Sequence, residues 1–490
     1  MTGFTQKYDL IVIGGGPAGI YGATTGAMAG MSVALIDRNN QLGGAGINTG
    51  TVPSKTLPET ALALSGLRSR DLYGVDLSLR REVTMADLLY HERRVQSGLN
   101  AMFAQRLKVA HTDLHQGTAQ FLNPNVIRVT APSAGANGPQ TSSDVLLCGD
   151  IILIATGSTP ARPRVFPFGP GVYDSDTILQ LDRLPKSLAV VGAGVIGFEY
   201  ACTFAALGVE VHLVDGRDAV LPFLDHELSQ TLVRVMANHG VTFHLNERVE
   251  QCSVIAPDGH ADLTHVALTL TSGSELMLEG VLVAAGRKSN VPSLDLAAAG
   301  VIVEEGGLVP VDEHYRTNVP HIYAAGDVIG FPALASTGIE QGRRAVLHSI
   351  GAGSHAGLPN CLPHGIYTIP EIGSVGHTEQ SLRHQGVDIV VGRALYRDSA
   401  RGRIIGDDEG FLKLIFDANQ MKLLGAHVIG EQATDIVHIG YMVMLASGGA
   451  EMLDNACFNM PTLGSLYKFA AFDALRQRDS NPPAQETPRL

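Results

Sequence analysis

LIVIGGGPAG, residues Leu10–Gly19, followed by MSVALID from Met31 to Asp37, decides the fold of this chain. A short run of branched apolar residues leads into GxGxxG at Gly14, Gly16 and Gly19, and a second apolar run ends on the acid Asp37. The pattern returns as LAVVGAGVIG at Leu188–Gly197, with Gly192, Gly194 and Gly197, followed by VEVHLVD ending on Asp215. In both copies the acid lies 18 residues after the third glycine. Apolar runs of this kind read as parallel strands buried on both faces, joined by a crossover helix. The glycines let backbone N–H groups approach a pyrophosphate at a helix N-terminus, and the acid accepts hydrogen bonds from ribose hydroxyls. One such match is weak, but two in full βαβ context predict an α/β chain that holds two dinucleotides.

At 490 residues the chain is long enough for several domains with large buried sheets. Its 35 Lys and Arg against 48 Asp and Glu leave a net charge of −13 and no basic run. That balance argues against nucleic acid as a partner, because phosphate backbones call for clustered cations. The cysteines Cys148, Cys202, Cys252, Cys361 and Cys457 are far apart and form no CxxC, so neither a metal site nor a secreted disulfide scaffold is expected. No charged residue occurs between Asp9 and Asp37, yet glycines at 14, 15, 16, 19, 22, 26 and 30 make that stretch a poor membrane helix. No signal-peptide cleavage pattern follows a basic start, so no membrane association is expected and the cytoplasm is the natural compartment.

The pattern predicts a helix over Met85–Leu107 and a polar, glycine-rich turn over 133–143. DIILIATGSTPARP at 150–163 reads as a buried strand closing on a sharp turn at Thr156-Gly157, with prolines suited to passage between domains. The second unit closes in the same style with GVLVAAGRKSN at 280–290, and a third such ending, HIYAAGDVIG, falls at 321–330. Beyond it, strand-like runs (HGIYTIPEIGSVG, GFLKLIF, KLLGAHVIG) alternate with two helical segments, which predicts a separate α+β domain. The expected division is 1–160 and 287–355 for a split first unit, 161–286 for the second, 356–478 for the α+β domain and 479–490 for a disordered tail.

Both GxGxxG units, the ATG turn at 155–157, AAGD at 324–327 and IYTIPEIGSVG at 366–376 together resemble the flavin-dependent pyridine-nucleotide disulfide oxidoreductases. NTGTVPSKTL at 48–57, GDVIGFPALAS at 326–336 and HIG at 438–440 after GEQATDIV are similar to the transhydrogenase branch of that family. The resemblance runs from residue 8 to about 475. It implies two Rossmann-like domains, for FAD and for NAD(P)H, and a C-terminal α+β domain that builds a homodimer or a larger homo-oligomer. Gly14, Gly16 and Gly19 would meet the FAD pyrophosphate, Asp37 the adenosine ribose and Asp327 the ribityl chain. Gly192, Gly194, Gly197 and Asp215 would serve the nicotinamide nucleotide, and Thr156, Gly157, Gly286 and Gly326 complete the cofactor-binding turns. Lys55 would lie near flavin N5, paired with Glu199 of GVIGFEYA, as the catalytic pair. A cation there stabilises the negative charge of reduced flavin.

The family's redox disulfide is a CxxxxC pair whose positions here hold Gly46 and Thr51, in GGAGINTGTVPSK. Its His-Glu pair, from an HPTxxE motif, is replaced by Met460 and Ser465 in MPTLGS. No thiol pair can accept electrons beyond the flavin, and no group titrating near neutrality offers acid-base chemistry there. Two chemistries are expected: hydride exchange between NADPH and NAD through the flavin, or reduction of a quinone, oxygen or other small acceptor in the emptied pocket. A third reading, a catalytically idle nucleotide-binding regulator, is opposed by the intact Lys55 and Glu199.

Cys202 and Cys457 read as inert core cysteines, and His364 and His438 as structural histidines. Pro58 falls where a helix should run beside the flavin. In LVDGRDAVL, Asp215 would favour NAD and repel the 2′-phosphate of NADP. Arg217 either attracts that phosphate, so that both nucleotides bind, or points to solvent.

Overall fold

A computed structural model describes residues 5–67, 84–132, 144–255, 265–352, 358–359 and 361–480. The turn expected at 133–143 and the tail from 481 onward lie outside the described residues. Asp479 and Ser480, assigned above to that tail, end the helix Leu466–Ser480.

The strand Thr5–Ile13 is sandwiched between parallel neighbours, Val33–Asp37 on one side and Val145–Ile154 on the other. Leu10, Ile11, Val12 and Ile13 are therefore buried on both faces, which is why they form an unbroken apolar run. Asp113–Gln116 adds a parallel strand outside Val33–Asp37. Along its other edge the long strand Val145–Ile154 serves two further partners, antiparallel to Val126–Thr130 along its first half and parallel to Ile322–Ala324 along its second. Helices Pro17–Met28 and Ala335–Ser349 pack on this sheet. They approach so closely that a Cβ at Gly342 would stand 2.2 Å from the Ala18 carbonyl oxygen.

The second unit is a five-stranded parallel sheet in the order Val241–Leu245, Glu210–Asp215, Ser187–Val191, Gly280–Val283, Val172–Asp174. An antiparallel meander, Val249–Ile255, His265–Leu270 and Glu275–Leu278, is appended to it and was not foreseen from the sequence. The chain passes between the two units as a paired ribbon, Ser158–Pro160 against Arg287–Ser289.

The C-terminal part is a five-stranded antiparallel sheet ordered His364–Ile366, Ile372–Gly376, Leu423–Ile429, Phe411–Asp417, Ile389–Leu395. Five helices accompany it among the described residues, not two: Glu379–His384, Ala400–Ile405, Ala433–Leu445, Ala450–Asn455 and Leu466–Ser480. Leu466–Ser480 lies against the edge strand, where Gly392 has room for no side chain because its Cβ would come 1.9 Å from the Ala470 carbonyl oxygen.

The helix expected at Met85–Leu107 spans Met85–Val109. Thr84 and Asp87 close its N-terminus as a capping box, and Arg106 and Lys108 complement the dipole at its end. It packs with Thr51–Ser65, in which Pro58 sits well past the first turn, so its ring removes an interior hydrogen bond. One apolar core joins Leu57 and Leu88 from these helices to Leu188, Phe198 and Leu213 of the second unit and Ile366 and Ile429 of the third. All three parts therefore meet around a single cleft. No helix among the described residues is long and apolar enough to cross a membrane.

Candidate functional site

The cleft, about 1470 Å³, is lined by residues of both GxGxxG turns and of the C-terminal part. The two turns have the same geometry. Gly14 and Gly192 take φ of +110° and +109°, and a Cβ on either would strike the carbonyl oxygen of Ala155 or Ala284, at 2.2 and 2.4 Å. Gly19 and Gly197 press against the turn itself, where a Cβ would lie 1.8 and 1.9 Å from the carbonyl oxygens of Gly14 and Gly192. The middle glycines differ in kind: a Cβ on Gly16 or Gly194 would meet no atom closer than 4.0 Å. That open ground at the start of a helix is where a pyrophosphate can lie against backbone N–H groups.

Each acid sits beneath its turn. Asp37 Oδ2 accepts from Gly15 N–H at 2.6 Å and Asp215 Oδ2 from Ala193 N–H at 2.6 Å. Their charges then diverge. Burial pushes the Asp37 carboxyl above its ordinary value against the backbone donors Asn39 and Gly15. Arg217 holds Asp215 below its ordinary value, gripping it through Nε–Oδ1 at 2.8 Å and a terminal nitrogen to Oδ2 at 2.7 Å. The Arg217 side chain is not turned freely to solvent: it is clamped on the acid two residues before it, the shortest route to a partner for a charge beside a buried carboxylate.

Lys55 and Glu199 are brought together from different units. Lys55 Nζ donates to Glu199 Oε1 and Oε2 at 2.6 and 2.7 Å. Ser54 Oγ donates to Oε2 at 3.0 Å and Tyr367 N–H to Oε1 at 3.0 Å, so the buried carboxylate is fully paired. The Tyr367 ring lies 5.0 Å from Lys55 Nζ, a cation–π contact. Ser54 and Tyr367 were missed as site residues, although both stand in the motifs VPSK and IYTIPE.

A second missed group occupies the ribbon between units. Arg287 Nε donates to Ser158 Oγ at 2.8 Å, and its guanidinium lies 4.0 Å from Asp176 and 3.9 Å from Asp327. Ser158 Oγ in turn donates to Asp327 Oδ2 at 2.5 Å. Burial raises the Asp176 carboxyl above its ordinary value. Gly157, Gly286 and Gly326 all take positive φ, of +65°, +97° and +80°, which turns the chain sharply at the ends of the buried strands. Gly326 N–H is fixed by Gln341 Oε1 at 2.9 Å. The Thr156 hydroxyl and one Asp176 oxygen are buried at the cleft with no hydrogen-bond partner, as polar atoms awaiting a ligand would be.

On the remaining wall stand Gly46 and Thr51, and no cysteine lines the cleft among the described residues. Cys202 is buried and its thiol is pushed up to about 12 by desolvation, as suits an inert core residue. Cys457 corrects the expectation, since it is exposed. His364 and His438 also depart from the structural reading, because both line the cleft and His438 is exposed. Ser465 is buried, with Oγ donating to the Thr462 carbonyl at 2.7 Å, and Met460 is exposed.

Residues 8–342 match the model of the pyridine nucleotide-disulphide oxidoreductases, and 362–471 that family's dimerisation domain. The chain belongs to the pyridine nucleotide-disulphide oxidoreductase family. Its cofactors are FAD and NAD(P)H, it is an oxidoreductase, and its C-terminal domain makes it a homodimer. The open middle glycines and the unpartnered Thr156 hydroxyl fit such ligands. The soluble pyridine nucleotide transhydrogenase of Mycobacterium bovis is 43% identical over 96% of this chain and 98% of its own length. That of Pseudomonas putida is 39% identical over 96% and 99%. Among solved structures, the Escherichia coli HOCl-induced flavoprotein disulfide reductase RclA superposes with a TM-score of 0.84 at 28% identity, over 96% of this chain and 99% of its own. LpdA of Mycobacterium tuberculosis gives 0.85 at 25% identity with the same coverage.

Proposed function

We propose that this protein exchanges hydride between the NADP(H) and NAD(H) pools in the cytoplasm, as the names of its transhydrogenase relatives suggest. FAD is assigned to residues 1–160 and 287–355, the nicotinamide nucleotides in turn to 161–286, and the dimer contact to 356–478. When bound, FAD supplies the two-electron acceptor and donor. The rest is done by this chain's own groups. Gly14, Gly16 and Gly19 admit one pyrophosphate and Gly192, Gly194 and Gly197 the other; Asp37, which among the described residues accepts only from Gly15 and Asn39 N–H, keeps room for ribose hydroxyls, and Asp215 would take them in exchange for part of its hold on Arg217. Thr156, Gly157, Gly286 and Gly326 shape the turns between, and Asp327, with Arg287 3.9 Å from it, would hold the ribityl chain. Lys55, held in place by Glu199, offers positive charge where negative charge develops.

One observation carries this reading: the two cradles and the Lys55–Glu199 pair are complete, whereas the wall at Gly46 and Thr51 has neither thiol nor titratable group. Hydride leaving NADPH and arriving on NAD moves no net proton, so the exchange asks nothing of that wall. Purified holoenzyme given NADPH and a thionicotinamide analogue of NAD should form the reduced analogue steadily. Turnover no faster than free FAD would overturn the proposal. A second reading lets a quinone or similar acceptor enter along the wall that holds Gly46 and Thr51, where no thiol stands. Turnover markedly faster with a quinone than with NAD would select it.

A further inference from the structure

The two cradles are internal copies, so a difference between equivalent positions is informative. In each, a backbone bond ties the segment after the third strand to the acid: Gly117 N–H, directly after Asp113–Gln116, to the Asp37 carbonyl at 2.8 Å, and Glu247 N–H, two residues after Val241–Leu245, to the Asp215 carbonyl at 3.1 Å. The residue beyond that bond is Thr118 in the first cradle and Arg248 in the second. Two positions after the acid, the first has Asn39 and the second Arg217. One position after it the order is reversed, with Arg38 in the first and Gly216 in the second. That glycine gives the Arg248 stem its path, since a Cβ there would come 2.7 Å from Arg248 Nε and 2.9 Å from its Cγ.

Arg217 and Arg248 are not equivalent charges. Arg217 spends one edge of its fork, Nε and a terminal nitrogen, on Asp215 and forms a near-neutral pair with it. Arg248 lines the cleft, and its guanidinium makes no ion pair or hydrogen bond among the described residues. Its neighbour Glu247 does not cancel it, because Glu247 Oε2 is turned to Thr271 Oγ1 at 2.6 Å and Ser272 N–H at 3.0 Å.

We propose that Arg248 is the residue that holds the 2′-phosphate of NADP(H) in the second cradle, and that Arg217 acts by neutralising Asp215, not by touching the phosphate. A free carboxylate at Asp215 would repel that phosphate, whereas the Asp215 carboxylate, which accepts from Ala193 N–H, Arg217 N–H and two nitrogens of the Arg217 guanidinium, tolerates it. Arg248 then supplies the charge and the planar donor set that phosphate recognition needs. The cradle accepts both nucleotides because one arginine silences the acid and another reads the phosphate. The inference rests on the second cradle being the nicotinamide nucleotide site.

The test is anaerobic flavin reduction by NADPH and by NADH, read as the ratio of their second-order rate constants. Arg248→Ala should lower the NADPH/NADH ratio by about tenfold or more, the worth of one charge-assisted phosphate contact. Arg217→Ala should also lower it, by unmasking Asp215. The deciding variant is Asp215→Asn with Arg217→Ala, which removes the carboxylate as well and should recover the ratio to within about threefold of wild type, so long as Arg248 remains. An Arg248→Ala ratio equal to wild type, or a double variant as depressed as Arg217→Ala, would overturn the inference. Failure of either nucleotide to reduce the wild-type flavin would instead count against the function proposed above.

Discussion

Lys55 and Glu199 stand 144 residues apart in sequence, on helices of different nucleotide cradles, yet Lys55 Nζ lies 2.6 Å from Glu199 Oε1. The ion pair is thus a clasp between the two units, and in the function proposed above it also serves the chemistry. Lys55→Met should slow flavin reduction by NADPH about 100-fold, as loss of a preorganised charge does, and should lower the flavin midpoint potential. Because Glu199 is 2% exposed, leaving it unpaired should also cost roughly 3 kcal/mol of stability, and Lys55→Met with Glu199→Gln should recover most of that loss without recovering the rate. Recovery of both by the double variant would deny Lys55 its chemical role.

Gly194 and Gly197 separate binding from folding. Gly194→Ala meets no neighbour, so the variant should fold with its full FAD content while NADH and NADPH both bind at least about tenfold more weakly, the added methyl standing where the pyrophosphate approaches. Gly197→Ala drives a methyl to 1.9 Å from the Gly192 carbonyl oxygen and should destabilise the fold by about 3 kcal/mol or more. Thermal melts and nucleotide titrations of the pair decide the matter; equal loss of stability in both would contradict it.

Lipoamide and glutathione disulfide should not be turned over above the free-flavin background, since Gly46 and Thr51 hold no thiol. Gly46→Cys with Thr51→Cys should not create a disulfide reductase. Met460 and Ser465 still leave no acid or base, and a Cβ at Gly46 would stand 2.9 Å from Pro17 Cγ. Steady disulfide turnover by that variant would show that the far face needs no proton-transfer group.

Lys413, 3% exposed, joins the second unit to the C-terminal sheet by contacting Asp225 at 2.8 Å, Glu227 at 3.1 Å and Glu379 at 2.7 Å. Burial alone would raise these carboxyls, but the cations prevail and hold them below their ordinary 3.8, 4.5 and 4.5, while Lys413 is held above 10.5. Depressed carboxyls contribute stability above their ordinary values and lose it as pH falls through the depressed ones. The lysine contribution is lost only as pH rises beyond 10.5. Stability from this cluster should thus be flat between pH 5 and 9. Lys413→Met should cost roughly 3 to 5 kcal/mol at pH 7, the lower end being set by the cations that stay, Arg393 at 2.9 Å from Glu227 and Arg383 at 2.7 Å from Glu379, and the cost should shrink at pH 5 as the carboxyls that lost their lysine protonate. A melting-temperature deficit identical at both pH values would contradict this.

The cradles were legible in sequence because their requirements are local: three glycines and an acid at fixed spacing, each answering to a contact within one strand-turn-helix unit. Lys55 and Glu199 were legible only through family motifs, because nothing local brings residues from two units together. Arg287, Asp176 and Tyr367 escaped because their role arises where three parts of the chain converge. For Arg217 the sequence shows that a cation follows Asp215 but not that its fork reaches back to it. The meander strand Val249–Ile255 and the edge strand Ile389–Leu395 escaped because neither alternates cleanly between a buried and an exposed face, whereas His265–Leu270 does alternate and was legible in the sequence, though not foreseen.

The central claim is that hydride passes from one nicotinamide pool to the other with no acceptor beyond the flavin. It is tested most directly by anaerobic double-mixing stopped flow, in which one equivalent of NADPH first bleaches the flavin and NAD is then added. The account predicts that flavin absorbance returns fully, with one NADH formed per flavin, at a rate at least equal to steady-state turnover. A flavin that stays bleached in the presence of NAD and regains its colour only when a quinone or oxygen is admitted would contradict it.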